Sequence, residues 1–429
     1  MKMLKTGFIL TFVLMFVVSL VACAKPSNQV DALPLWENDS GHTAKRIVVI
    51  SDLHLGVEDS FAQTTKNRPF IVAFLEKLAV SDVDELVIDG DLLDEWFVPI
   101  SYTQYTDSKA FFKQVAVNNA SVIEAIEKVI KSGVKVTYIP GNHDMLLTDE
   151  ILAELIPGIN QARDEVGLGT YRIGVRSEIV IEHGHRYDTF NAPDPLSNKE
   201  ITGDYPSIIP PGYFLTRMAA TSVAEGQSAP AKDLPLIQTP SSGDADQLGA
   251  YAYYQSWSGA MVTYPISAGF NDKVISCGID GYNNSFALSD LLPTVQEDGL
   301  ISAILYANVQ RRWDAVQDAN GVVTKNPYTT ATAGGLDHTY FDGQAVSQYF
   351  NDDPTIDVVV LGHTHVPVIT HYTEGYNREK IYANTGTWVD TAPQSEDMTF
   401  VVIESGKESS DVRLMQYMPD GTISNIEQQ

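Results

Sequence analysis

Five short runs in this chain carry side chains that bind metal ions, and each follows an apolar stretch. They are Asp52-Leu-His54, Gly90-Asp91-Leu-Leu-Asp94, Gly141-Asn142-His143-Asp144, His183-Gly-His185 and Gly362-His363-Thr-His365. Imidazole, carboxylate and carboxamide oxygen together suit manganese, iron or zinc better than magnesium or calcium alone. No cysteine stands in any of the five, so thiolate ligation is excluded. Glycine next to so many of these residues permits tight turns that point side chains outward from a sheet edge. A single Gly-His-x-His run carries little weight; five runs in order, each behind an apolar stretch, point to one composite metal site.

The elements that must position these runs are legible from periodicity. Residues 46–51 form a β-branched run of the kind buried on both faces of a sheet, and they lead directly into Asp52 and His54. Ile71, Phe74, Leu75 and Leu78 then recur at helical spacing before a second apolar run, 86–88, delivers Asp91. Val122, Ile123, Ile126, Val129 and Ile130 mark another helix that Gly133 ends, and 134–139 is a strand leading into Gly141. The unit is βαβαβ, with polar residues just past the carboxyl end of each strand, where open α/β sheets bind ligands. Strands at 178–182 and 356–361 precede the last two histidine runs, and late strands are expected at 380–383, 398–404 and 411–415. The stretch 190–345 is too long for a simple crossover and reads as an insertion that folds in part as a cap. Its Tyr251, Tyr253, Tyr254 and Trp257 are expected to be the cap's aromatic core. Asp188, Asn191 and Arg217 stand near the site as substrate-contact candidates, but for Arg217 an ion pair at a surface or between domains is the expected fate.

The ordered pattern D-x-H, GD-x-x-D, GNH(D/E), H and GH-x-H resembles that of the metallophosphoesterase superfamily, the calcineurin-like phosphoesterases. The likeness covers roughly 45–190 and 350–417, with every position of the pattern occupied. It implies a layered α/β/β/α sandwich with a core made of 45–189 and 346–429. It also implies two divalent ions, with Asp52, His54, Asp91 and His365 on one and Asp91, Asn142, His183 and His363 on the other. Asp91 would bridge them. By the same resemblance His143 is no ligand but stabilises phosphoryl oxygens or protonates the leaving group, with Asp144 expected to fix its ring. Asp94 and His185 are expected to stand behind the ligands and orient imidazoles. The implied reaction is in-line displacement at the phosphorus of a small diester, pyrophosphate or monoester by water activated between the ions. The runs IDGDLLDEW and NTGTW (384–388) look most like the branch containing UDP-diacylglucosamine hydrolases. His143 stands where that branch commonly has Arg, and the insertion is a second departure, so the substrate is not carried over.

Residues 1–22 read as an export leader: Lys2 and Lys5, an apolar run, then small residues. Leu20-Val21-Ala22-Cys23 resembles the lipobox of bacterial lipoproteins, which implies acylation of Cys23, a tether over 23–44 and attachment to a bacterial membrane outside the cytoplasm. With 55 acidic and 28 basic residues the chain has a formal charge of −27, which argues against unspecific nucleic-acid binding. The expected partner is a small phosphorylated substrate; the oligomeric state is not legible. A catalytically idle surface-binding or envelope-assembly lipoprotein on the same fold is the competing reading, and the intact ligand set counts against it.

Overall fold

A computed structural model describes residues 30–36, 43–102, 107–203, 205–230, 232–241, 243–276, 278–307, 309–334 and 338–426. The expected leader, the expected acylation site Cys23 and the other cysteine, Cys277, lie outside the described residues.

The strands in chain order are β1 (Lys45–Ile50), β2 (Glu85–Asp89), β3 (Lys135–Ile139), β4 (Asn160–Gln161), β5 (Tyr171–Ile173) and β6 (Ile179–Glu182). Four short ones follow within the insertion: β7 (Ile275–Ser276), β8 (Ser285–Phe286), β9 (Thr294–Val295) and β10 (Ile301–Ser302). The chain closes with β11 (Val358–Leu361), β12 (Val368–Tyr372), β13 (Lys380–Asn384), β14 (Thr399–Ser405), β15 (Ser410–Tyr417) and β16 (Ile423–Asn425). The first sheet has the order β16-β15-β14-β1-β2-β3-β4, parallel from β1 to β4 and antiparallel beyond. The second runs β12-β13-β11-β6-β5, with β13, β11 and β6 parallel.

Side chains alternate across each strand, so β1 serves two layers. Ile47 and Val49 join Val87, Ile139, Ile179, Ile181, Val358 and Val360 between the two sheets. Val48 and Ile50 turn the other way, into a cluster with Phe74 and Leu75 of helix Arg68–Leu78 and Ile126 of helix Ala120–Lys131. That second helix ends as expected, with Gly133 at φ +100° just past its cap. The outer face of the second sheet presents Val180, Val359 and Leu361 to Phe341, Ala345 and Phe350. The result is a helix, sheet, sheet, helix layering.

Two features depart from the sequence expectations. Residues 30–36 are no free tether: Leu33 and Leu35 are buried, and Trp36 lies under the Arg46 guanidinium. The apolar Leu33-Pro-Leu-Trp36 run gains more by covering the first sheet's helical face than by staying in water. The insertion has an apolar core of its own, in which Tyr253, Tyr254 and Trp257 are buried, but Trp96 and Met145 from the metal-site loops belong to the same cluster. No helix among the described residues is long and apolar enough to cross a membrane.

Candidate metal centre

All five runs leave the carboxyl ends of parallel strands: β1, β2 and β3 of one sheet, β6 and β11 of the other. The turns that re-aim the side chains are tight. Asp52, His54, Asp91, His363 and His365 have φ of +53°, +43°, +52°, +71° and +61°, a region non-glycine residues seldom occupy. Such strain is held only where the surroundings over-determine it, and it gathers at functional sites. Gly141 is required for another reason: a Cβ there would run into the Asp91 carboxylate and its backbone nitrogen.

The expected ligands converge. His54 Nε2 lies 3.1 Å from His365 Nε2, and His365 Nε2 lies 3.1 Å from Asp52 Oδ1. Asp91 Oδ2 sits between the two halves, 3.5 Å from His54 Nε2 and 3.3 Å from His183 Nε2. Asn142 Oδ1 faces His183 Nε2 at 3.2 Å and His363 Nδ1 at 3.0 Å. Asp52, His54 and His365 form one cluster with ion-binding spacing, and Asp52, Asp91 and His183 another. These residues fit a pair of cations. Asp52 Oδ1 is buried with no hydrogen bond among the described residues, and the His54 and His365 Nε2 atoms converge beside it.

The electrostatics agree. Burial pushes the His183 imidazole down, but the Asp91 and Asp52 carboxylates reverse this and lift it to about 10. Burial likewise depresses His54, yet its contacts with Asp52 and Asp94 carry it well above the usual imidazole range. Burial raises Asp52 and Asp91, but the neighbouring histidines, His183 foremost, hold both below the ordinary carboxylate value. A pocket that keeps carboxylates ionised and draws protons onto imidazoles is one that favours added positive charge.

Hydrogen bonds behind the ligands fix their rings. His183 Nδ1 donates to the Asp89 carbonyl at 2.7 Å, which turns Nε2 to the site. Asp94 holds two rings at once, Oδ2 on His54 Nδ1 and Oδ1 on His143 Nδ1, both at 2.9 Å. The His54–Asp94–His143 group also has ion-binding spacing, but these bonds already account for it. Asp144 does not fix the His143 ring. It is buried and accepts the Leu92 and Gly141 amides at 2.8 Å, so it stitches two metal-site loops together. His185 is buried beside His183, ring centroids 5.4 Å apart, and neither of its nitrogens has a hydrogen-bond partner among the described residues. It orients no ligand by hydrogen bonding, and burial pushes its imidazole well below the usual value.

Sequence reasoning missed two supports. Asp188 Oδ2 meets His363 Nε2 at 2.8 Å and so turns Nδ1 to the site. Its signal was the position five residues after His183. Trp96 stacks on His143 with centroids 4.9 Å apart and planes at 27°; it ends the IDGDLLDEW run. Arg217 is buried rather than at a surface, with Nη2 3.4 Å from the Pro99 carbonyl. The NTGTW run buckles the site: Asn384 Nδ2 donates to the Gly362 carbonyl, and Thr387 Oγ1 to that of Asp52.

The family profile described as calcineurin-like phosphoesterase matches residues 45–209. Residues 45–209 are thus similar to calcineurin-like phosphoesterases, and this likeness supports a metal-dependent phosphoester hydrolase. The match stops before His363 and His365, which reach the phosphoesterase site because β11 pairs with β6. No curated protein matches the chain. Among solved structures, a dimetal phosphatase from Danio rerio is similar at 10% identity over 90% of this chain and 99% of that one, TM-score 0.37. Phosphopantetheinyl hydrolase from Mycobacterium tuberculosis is similar at 13% identity over 82% and 94%, TM-score 0.27.

Proposed function

We propose that this protein is a dinuclear phosphoesterase that hydrolyses a small phosphorylated molecule outside the bacterial cytoplasm, held to a membrane through acylated Cys23. The observation that carries the catalytic part is Asp91 Oδ2, poised 3.5 Å from His54 Nε2 and 3.3 Å from His183 Nε2, each histidine in its own group of ligands. Asp52, His54, Asp91 and His365 would hold one ion, and Asp91, Asn142, His183 and His363 the other. Manganese, iron or zinc suits this donor set. Bound there, the pair would supply activated water near neutral pH and positive charge for phosphoryl oxygens.

The chain's own groups do the rest. Asp94 engages His143 at Nδ1, leaving Nε2 to hold a proton for the leaving oxygen. Trp96 sets the plane of that ring. His365 and His143, 34% and 13% exposed, mark the open side from which a phosphoester enters. The membrane part rests on Lys2, Lys5, the apolar leader and Leu20-Val21-Ala22-Cys23.

Elemental analysis of the purified protein, followed by turnover of phosphomonoesters, diesters and sugar nucleotides with manganese, zinc or iron, tests this reading. Two ions per chain and metal-dependent hydrolysis, lost in Asp91→Asn, are expected. A folded protein that binds no ions and cleaves none of the panel would sink it. For the anchor, Cys23→Ser should leave unprocessed precursor; normal cleavage and membrane retention in that variant would remove the lipid from the account.

A further inference from the structure

The inserted segment leaves a cavity of about 510 Å³, walled in part by Asp188, Phe190, Asn191, Leu215, Trp257 and Ala260. Two of these walls touch metal-ligand side chains: Asp188 holds His363, and Asn191 Oδ1 accepts from Asn142 Nδ2 at 3.3 Å. A third wall, Gly212, backs onto Trp96, whose ring would stand 3.1 Å from a Cβ there and which stacks on His143. The cavity is therefore one side chain removed from His363, Asn142 and His143, within reach of a group attached to a phosphoryl held there.

Its lining is chemically one-sided. No lysine, arginine or histidine is among the described residues that form it. The one carboxylate, Asp188, is spent on His363 and on the Phe190 and Asn191 amides. Ser256 and Thr263 turn their hydroxyls back onto the Ala252 and Gly259 carbonyls of their own helix, Ala245–Thr263. A second phosphate or other ionic group would lose its water here and meet no counter-charge, whereas apolar surface gains by entering. The volume lies in the usual range for small-molecule sites, roughly 300–1,000 Å³.

We propose that this cavity receives the ester group of the substrate, and that this group is uncharged and mainly apolar: an aryl ring or an alkyl or acyl chain of medium length. The proposal rests on the phosphoesterase reading and adds the substrate class to it.

The test uses the full chain loaded with manganese. It compares kcat/KM for p-nitrophenyl phosphodiesters whose second group is methyl, butyl, octyl or choline, and for the matching phosphomonoesters. From methyl to octyl the value should rise at least about tenfold, the effect of burying a few methylenes, with choline no better than methyl. Gly259→Trp fills the cavity from a position where a Cβ meets no atom within 4 Å. It should bring the octyl-to-methyl ratio down to within about threefold of unity, and Ala260→Trp should do the same by a second route. Val262→Trp, on the same helix but exposed and outside the lining, should keep the ratio. A flat chain-length series in an enzyme that turns over the methyl esters would overturn the cavity proposal alone. So would a ratio that survives both fillings or falls equally in Val262→Trp. No hydrolysis of any ester by the metal-loaded protein would overturn the phosphoesterase reading, and the substrate class with it.

Discussion

Because Asp94 meets His54 through one oxygen and His143 through the other, a single carboxylate fixes a metal-facing ring and a substrate-facing one. Its own carboxyl is raised by burial but carried below the ordinary range by His143 and His54, so it stays an acceptor. Removing such an outer partner commonly costs about 10–100-fold in affinity or activity. Asp94→Ala should therefore lower both manganese affinity and kcat by roughly that factor, read by metal titration and steady-state kinetics. Asp144→Ala belongs to another class: it strands two buried amides, so it should lower unfolding free energy by about 1–3 kcal/mol. Denaturant unfolding measures this, and unchanged stability with an altered pH profile of kcat would return Asp144 to the role read from sequence. The convergence of the seven candidate ligands was legible because each run directly follows an apolar strand. Asp94 was legible as a carboxylate that orients imidazoles, but its hold on His143 was not, since Asp144 is the chain neighbour of that ring while Asp94 is its neighbour in space. Asp188 was hidden the same way, 175 residues from the ring it holds.

At the scale of elements, the metal-site loops are tight turns that work only with glycine at their closest approaches. Gly90 has φ +82°, and a Cβ there would collide with the His183 ring. Gly90→Ala combines that clash with a left-handed backbone, each costing on the order of 1–3 kcal/mol, and it should lower Tm and manganese affinity together. A variant with wild-type Tm and metal binding would mean the loop yields more easily than its packing indicates. Another loop carries a titration. Burial ahead of β14 pushes the Asp397 carboxyl from 3.8 up to about 6, against the bond from Asn67 Nδ2. The folded state thus holds this proton more tightly than the unfolded chain does, and the contribution to stability falls as pH rises from about 4 to about 6. Asp397→Asn keeps an acceptor for Asn67 and should flatten that decline and raise Tm above pH 6; an identical Tm–pH curve would refute it. The parallel strands were readable because burial on both faces makes continuous β-branched runs. The edge strands β4, β5, β12 and β16 were not: they are short, or half-exposed as β12 is, and carry no such run. The short helix Asp149–Leu155, with Leu152 its one buried residue, gives too few apolar positions for a period to show.

For the whole molecule, the decisive fact is that the candidate ligands come from both sheets. Asp52, His54, Asp91 and Asn142 stand on the first, and His183, His363 and His365 on the second. The apolar layer between the sheets was foreseeable from the strand patterns, but their registration at the site was not, because β6 and β11 are adjacent in space while the whole insertion separates them in sequence. Trp96 and Met145 extend that insertion's core back to the metal loops, so the cap, the loops and both sheets share one boundary. Ions bound there would add to the apolar layer and to the hydrogen bonds, such as His183 Nδ1 to the Asp89 carbonyl and Thr387 Oγ1 to that of Asp52, that already join the two sheets. The unfolded chain disperses the same ligands and has no comparable site, so free ion at 1,000 times its dissociation constant should add about 4 kcal/mol to stability. Chelation should therefore lower Tm, manganese should restore it in proportion to the logarithm of its free concentration, and Asp91→Asn should respond weakly to both. In the emptied site only hydrogen bonds and ion pairs between carboxylates and imidazoles would hold these loops, and hydrogen exchange should then quicken first in the loops after β1, β6 and β11. If elemental analysis shows the ions gone while Tm and exchange are unchanged, the two sheets hold their registration without them, and the centre contributes to chemistry but not to the fold.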